Sequence, residues 1–319
     1  MITYILFIVG FFFLIKGADL LVDGSSSIAK KFRISNIVIG LTIVAFGTSS
    51  PEFIVNIFAS AKGNTEIAIG NILGSNIANI LLILGISSMI YPLFTKKNTV
   101  WKEIPLSLLA ALILGVMVND FRIDNGLYSG LTRIDGIVLL AFFIIFIYYT
   151  FGIAKITGET SEETQIKQLS NLRSGTYIVI GFLGLFLGGK WIVDGAIKIA
   201  ELFNVSQSLI GLTVVAIGTS LPELATSAIA AYKKQTDIAI GNVVGSNIFN
   251  IFWVLGFSSL IRPLPFSKTN DLDILMTIFA SAILFFIMFI GKKHTIEKSQ
   301  GAMMILIYIG YVTLLIFTH

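Results

Sequence analysis

Apolar residues run through the chain in long blocks separated by short polar breaks, and the stretches 2–15, 104–118, 136–151, 274–290 and 302–317 carry no charged residue. Blocks of this length approach the roughly 20 residues that a helix needs to cross about 30 Å of hydrocarbon. Read as membrane spans, the blocks predict ten helices: about 2–28, 35–61, 66–91, 99–119 and 131–151, then 174–200, 206–231, 237–261, 272–290 and 299–317. The N-terminal block lacks a basic leader and has a counterpart later in the chain, so it reads as a retained span and not a signal peptide.

The second half of this pattern repeats the first. Shifted by 171 residues, 17–93 aligns with 188–264 without a gap, and 40 of those 77 positions are identical. The strongest blocks are GLTIVAFGTSSPE (40–52) against GLTVVAIGTSLPE (211–223), and AIGNILGSNIANI (68–80) against AIGNVVGSNIFNI (239–251). Five spans per copy is an odd number, so the second copy enters the membrane from the opposite side and the repeats are inverted, as in many secondary transporters. The expected architecture is an all-α polytopic membrane protein of ten transmembrane helices, with a first five-helix repeat over 1–153, a linker over 154–173 and a second repeat over 174–319.

Composition agrees with this reading. The 319 residues are 55% apolar and 13% charged, against about 25% charged in soluble domains. The net charge of +4 comes from basic residues spread over many short breaks, which does not make a nucleic-acid-binding face. Lys30, Lys31, Arg33, Lys96, Lys97, Lys292 and Lys293 stand in odd-numbered breaks, which predicts that those breaks and the linker are cytoplasmic and that both termini lie outside. The chain has no cysteine, which excludes disulfides, thiolate metal sites and a cysteine nucleophile. His294 and His319 fall outside the expected membrane core, as interfacial readings place Asp23, Asp194 and Trp101 near helix ends.

Two carboxylates change the picture. Glu52 and Glu223 sit well inside apolar spans, where a charge costs roughly 2.5–3.5 kcal/mol on insertion scales and is functional by default. Lys16 and Lys190 are the only bases in comparable positions. Each glutamate follows a proline, and Gly47-Thr48-Ser49-Ser50-Pro51 and Gly218-Thr219-Ser220-Leu221-Pro222 are poor material for an unbroken helix, so a break is expected at each site. Pro51 and Pro222 lack the N–H that would bond the carbonyls of Gly47 and Gly218, which leaves oxygen lone pairs at membrane depth. If helical geometry resumes, Thr48 and Ser49 share a face with Glu52 at spacings of four and three. Ser75 and Asn79 repeat the four-residue spacing, as do Ser246 and Asn250, while Gly70, Gly74, Gly241 and Gly245 allow close helix approach. This inventory of carboxylate, hydroxyl, amide and backbone oxygen suits hard cations such as Ca²⁺ and Na⁺ and not zinc or copper.

At these residues the chain resembles the calcium/cation antiporter superfamily, in its prokaryotic sodium/calcium exchanger branch. Both of that family's repeats are present, as GTSSPE with GSNIAN and GTSLPE with GSNIFN, and the resemblance covers essentially the whole chain. It implies ten helices, a central ion site between spans 2, 3, 7 and 8, sliding of spans 1 and 6, and exchange of Ca²⁺ for Na⁺ without a cofactor. Carried over by position, the ligands are Glu52, Thr48, Ser49, Ser75 and Asn79, then Glu223, Thr219, Ser220, Ser246 and Asn250, with the carbonyls of Ala45 and Ala216. It also implies a prokaryotic cell membrane, inorganic cations and the bilayer as partners, and function as a monomer.

Position 250 is Asn, where some relatives carry Asp, so Glu52 and Glu223 are the expected acids of the site and K⁺ co-transport is not expected. The large cytosolic regulatory loop of animal members is absent. Exchange of a divalent cation for H⁺ remains an alternative, since a buried carboxylate can trade a proton for a cation. An intramembrane hydrolase using the two carboxylates and a passive channel are further readings, the former without a nucleophile constellation.

Overall fold

A computed structural model describes residues 2–123, 129–156, 168–202, 216–266 and 270–318. The chain is mostly helical, because backbone N–H and C=O groups surrounded by lipid must bond within their own segment. The long helices are α1 (Ile2–Phe32), α4 (Thr65–Ile90), α5 (Lys97–Met117), α6 (Arg133–Ile156), α7 (Asn171–Leu202), α10 (Thr236–Ile261), α11 (Asn270–Ile287) and α12 (Lys298–Thr318). Among the described residues these eight are long and apolar enough to cross a membrane, and α2 (Asn36–Thr48) with α3 (Ser50–Lys62) forms one bent pair. In the second half the corresponding pieces are α8 (Ala216–Thr219) and α9 (Leu221–Tyr232). The expected span over 206–231 begins in 203–215, which lies outside the described residues, as do most of the linker and His319.

Burial sorts the helices into a centre and a shell. The best apolar windows of α4 and α10 are 78% and 94% buried, against 17–39% for the other long helices. The shell turns large side chains such as Ile8, Ile144, Tyr148, Leu306 and Phe317 outward, a band of apolar surface that lipid covers. Trp101 is half exposed and packs edge-on against Phe285 and Phe289, as an interfacial anchor would.

α1 and α7 lie antiparallel along each other on a seam of glycines. Gly10 faces Gly188, Gly17 faces Gly181 through Leu185, and Gly24 faces Ser174, so the contacts run down one helix as they run up the other. A Cβ on Gly17 would lie 2.7 Å from the Leu185 nitrogen and 2.8 Å from the Gly181 oxygen, so only glycine allows this backbone approach. Gly241 and Gly245 do the same for α10, pressing on Ile37, Gly40 and Leu41 of α2. Gly70 and Gly74 have no described neighbour within 4 Å; the segment equivalent to Gly40 and Leu41, at 211–212, lies outside the described residues.

Two features are not expected from the sequence. Among the described residues, three helices loosen into π turns, at Gly40–Val44 in α2, Asn79–Leu84 in α4 and Phe249–Leu255 in α10. Such turns concentrate at functional sites. Two short antiparallel ladders tie the polar breaks: β1 (Leu93–Phe94) pairs with β4 (Thr295–Ile296), and β2 (Gly130–Leu131) pairs with β3 (Leu264–Pro265). β1 and β3 occupy equivalent positions 171 residues apart, so each copy contributes the same strand to a ladder with the other.

Candidate ion-binding site

The break before each glutamate has a specific form. α2 ends at Thr48, Ser49 takes φ −80° and ψ 2°, and α3 starts at Ser50 with Pro51 in its first turn. Proline is well tolerated there, because a first-turn N–H has no intrahelical partner to lose. The two helices meet at 45°, and Ser50 Oγ donates back to the Phe46 oxygen at 2.8 Å. In the second half Ser220 repeats the geometry with φ −86° and ψ 3°, followed by Pro222 in the first turn of α9. Glu52 and Glu223 therefore stand in the first turn of a new helix, where the unpaired amides favour a negative charge. Both are completely buried.

The hydroxyls beside each break serve the carboxylate of the other half. Ser49 Oγ donates to Glu223 Oε1 at 3.2 Å, and Ser220 Oγ to Glu52 Oε1 at 3.5 Å. Thr48 Oγ1 donates to Asn242 Oδ1 at 3.0 Å, and Thr219 Oγ1 to Asn71 Oδ1 at 3.1 Å. The shared face of Thr48, Ser49 and Glu52 was expected on the condition that helical geometry resumes after the break, and that condition is not met at Ser49. The near-zero ψ of Ser49 and the 45° bend end the helical register that a spacing of three or four requires, and Ser49 turns to Glu223 and Thr48 to Asn242 of the other half. Lys16 lies 3.9 Å from Asp19 with its side chain 60% exposed, and Lys190 is exposed; the described partners of Glu52 and Glu223 are hydroxyls.

The remaining candidates lie on α4 and α10. Ser246 Oγ donates to Glu223 Oε1 at 3.3 Å and lies 3.4 Å from Thr48 Oγ1. Ser75, its counterpart, is completely buried and its Oγ has no hydrogen-bond partner among the described residues. Asn79 and Asn250 are completely buried at the start of π turns, and their Nδ2 atoms are bonded while their Oδ1 atoms are not. Glu52 Oε2 and Glu223 Oε2 are likewise buried without a partner. The Ala45 oxygen accepts from Ser49 N at 2.9 Å and Thr48 Oγ1 at 3.3 Å, and Ala216 opens α8.

A second tier of amides, not singled out from the sequence, surrounds these residues. Asn71 Nδ2 donates to Asn56 Oδ1 at 2.7 Å, and Asn242 Nδ2 to Ser227 Oγ at 2.9 Å. Asn56 and Ser227 bond in turn to the carbonyls of Ala68 and Ala239. Asn76 and Asn247 exchange bonds across the α4–α10 contact, each Nδ2 to the other's backbone oxygen, at 3.3 and 3.2 Å. For Asn71 with Asn242 and Asn76 with Asn247 the signal in the sequence was identity in both copies at polar positions of apolar spans, whereas the equivalent positions 56 and 227 hold Asn and Ser. Nothing in spacing alone separates them from Asn79 and Asn250.

Chemically, the site offers oxygen only. Among the described residues no group of three or more His, Cys, Asp or Glu side chains stands together, so two carboxylates are supplemented by hydroxyl and amide oxygens, a donor set for hard cations. Against both breaks and α7 lies a cavity of about 220 Å³, lined by Phe46, Ser50, Pro51, Phe182, Phe186 and Pro222 among others.

Comparison with known proteins bears on this geometry. The family described as sodium/calcium exchanger protein matches residues 2–152 and 174–317. The chain is 30% identical over 347 residues to the sodium/calcium exchanger MaX1 of Methanosarcina acetivorans, covering 99% of both chains. It is 35% identical over 284 residues to the inner membrane protein YrbG of Escherichia coli, covering 86% of this chain and 85% of the relative. A solved structure of the sodium-calcium exchanger NCX_Mj superposes with a TM-score of 0.83 at 36% identity, over 98% of each chain.

Proposed function

The chain belongs to the sodium/calcium exchanger family of integral membrane cation antiporters, and on that premise we propose that it exchanges Ca²⁺ for Na⁺ by alternating access, independently of K⁺ and with net movement of charge. The observation that carries this reading is the pair of buried carboxylates, one from each half, whose Oε2 atoms have no partner among the described residues although each is fully enclosed. An unpaired buried charge is costly, and a bound cation removes that cost. Ser75 Oγ, Asn79 Oδ1 and Asn250 Oδ1 are buried and unpartnered in the same region. They complete a ligand set with Thr48, Ser49, Thr219, Ser220 and Ser246, and with the carbonyls of Ala45 and Ala216.

Two ionised glutamates offer about two negative charges, which one Ca²⁺ neutralises, while Na⁺ ions at overlapping oxygens exclude it. This competition couples the two flows. When more than two Na⁺ move per Ca²⁺, each excess charge responds to voltage by about 2.3 kcal/mol per 100 mV. Asn at both 79 and 250 leaves no third acid, which supports K⁺-independence.

The architecture in this reading is ten spans in two inverted five-helix halves, 1–153 and 174–319, joined by a cytoplasmic linker over 154–173. The ladders support it: β1–β4 joins the breaks after spans 3 and 9, and β2–β3 those after spans 4 and 8, so each ladder pairs breaks of equal parity and hence of one membrane side. Lys and Arg in the odd breaks favour the cytoplasm for the β1–β4 side, with the β2–β3 side and both termini outside a prokaryotic cell membrane. The glycine seam lets α1 and α7 move together against the rest, and the two halves of one chain supply the whole proposed ligand set, which favours the monomer as the working unit.

The test is ⁴⁵Ca²⁺ flux in reconstituted vesicles with Na⁺, K⁺ and pH gradients imposed one at a time. Na⁺-loaded vesicles diluted into Na⁺-free medium are expected to accumulate Ca²⁺, with no effect of K⁺ and acceleration by a potential that favours the excess Na⁺ charge. Uptake driven by a pH gradient without Na⁺ would replace Na⁺ by H⁺ as the coupling ion. Flux that equilibrates without a counter-ion would make the protein a channel.

A further inference from the structure

An asparagine side chain can present either a carbonyl oxygen, which binds a cation, or an amide NH₂, which repels one. The two ends have nearly the same shape, so packing alone does not choose between them. At Asn79 the choice is made by a bond to the other half: Nδ2 donates to Asn247 Oδ1 at 3.0 Å. At Asn250 it is made by the mirror bond, Nδ2 to Asn76 Oδ1 at 3.0 Å. Asn247 and Asn76 are themselves locked. Each spends its own Nδ2 on the backbone oxygen of the other, at 3.2 and 3.3 Å, so that each Oδ1 is the end left to accept. Asn76 and Asn247 are at most 1% exposed, out of reach of bulk water that could substitute for these partners.

From this closed set of four bonds we infer that Asn76 and Asn247 are crossed positioning residues: Asn247 turns the Asn79 carbonyl, and Asn76 the Asn250 carbonyl, toward the transported cation. The inference rests on the exchange proposed above. Neither residue touches the ion. Each dictates which end of the opposite half's ligand is free, which accounts for the unpartnered Oδ1 at Asn79 and Asn250. It also gives α4 and α10 a reason to stay in contact while other helices move, because separating them would release both amides at once.

The experiment is Na⁺-driven Ca²⁺ uptake in vesicles, read as the half-saturating Ca²⁺ concentration and the maximal rate separately. Asn247→Ala is expected to raise half-saturation roughly tenfold, the scale of one oriented ligand bond, with a smaller effect on maximal rate. Combining it with Asn79→Ala should raise half-saturation no further than Asn79→Ala alone, because the group being oriented is gone. In an Asn79→Asp background, where either end of the side chain is an oxygen, Asn247→Ala should cause no rise. A merely structural role would weaken binding equally in every background, and that result overturns the inference. Asn76→Ala against Asn250→Ala and Asn250→Asp is the mirror set, and it decides the matter if Asn247→Ala does not reach the membrane. Absence of Na⁺-driven Ca²⁺ uptake by the unmodified protein overturns the exchange reading itself, and is distinct from uptake that occurs but is insensitive to these backgrounds.

Discussion

The two carboxylates stand in equivalent frames yet are unequally held. Glu223 Oε1 accepts from Ser49 at 3.2 Å and Ser246 at 3.3 Å, whereas Glu52 is held by Ser220, at 3.5 Å from Oε1, and by Thr219, with no described bond from α4. The difference traces to one pair of equivalent residues: Ser246 bonds Glu223, while Ser75 leaves its hydroxyl unpartnered. A duplicated sequence supplies two identical ligand sets, but a single conformation uses them differently.

The comparison breaks first at the carboxylates themselves. Glu52→Gln and Glu223→Gln should each lower Ca²⁺ exchange by roughly a hundredfold or more, since each removes a buried charged ligand with no third acid to replace it. ⁴⁵Ca²⁺ uptake in vesicles measures both. Near-normal transport by either variant would remove that glutamate from the site. Loss in only one would mean that the inequality of the frames extends to function.

Ser246 and Ser75 sharpen the same contrast at a smaller scale. Ser246→Ala removes a ligand and also the bond that orients Glu223 before the ion arrives, so half-saturating Ca²⁺ should rise about tenfold, in the range of a hydrogen bond to a charged group. Ser75→Ala removes a ligand but no existing bond, and a smaller rise is expected. Equal shifts would mean that the bond from Ser246 to Glu223 contributes nothing to binding.

How much of this was legible in the sequence depends on the range of the interaction. The duplication and the intramembrane position of Glu52 and Glu223 pointed to these two residues and to the polar neighbours that the structure buries with them, because an apolar span makes each polar residue conspicuous. The partnership of Ser49 with the opposite carboxylate, and of Thr48 with Asn242, was not legible. Spacings of three and four describe an unbroken helix, and Ser49 with ψ 2° ends one. The roles of Asn76 and Asn79 were indistinguishable for a related reason: both face the α4–α10 contact, and only the cross-helix bonds show which amide is held and which holds. Ladders two residues long, such as Leu93–Phe94 with Thr295–Ile296, are too short to leave an alternating pattern.

Away from the site the halves differ more. At the end of α9, Lys233 Nζ meets Asp19 Oδ1 at 2.6 Å, Asp23 Oδ1 at 2.5 Å and the Asp19 backbone oxygen at 3.0 Å, and nearby Ser26 Oγ donates to Gln235 Oε1. These bonds fasten α1 to the break between α9 and α10. The equivalent of Lys233 is Lys62, which is exposed and forms no ion pair among the described residues, and the equivalent of Asp19 is Lys190, so the first copy could not build the same cluster. Exposed ion pairs contribute about 0–1 kcal/mol, but the Lys233 and Asp23 side chains are only 20% and 14% exposed, and one ammonium serves two carboxylates. Lys233→Met should therefore change turnover by roughly two- to fivefold, the rate effect of about 0.5–1 kcal/mol on one end of the cycle, while half-saturating Ca²⁺ stays within about twofold because no ion ligand is touched. Lys62→Met should change neither. A shift in Ca²⁺ affinity on losing Lys233 would mean that the position of α1 sets the geometry at Glu52 and Glu223, and that the asymmetry at the rim is the cause of the inequality at the centre.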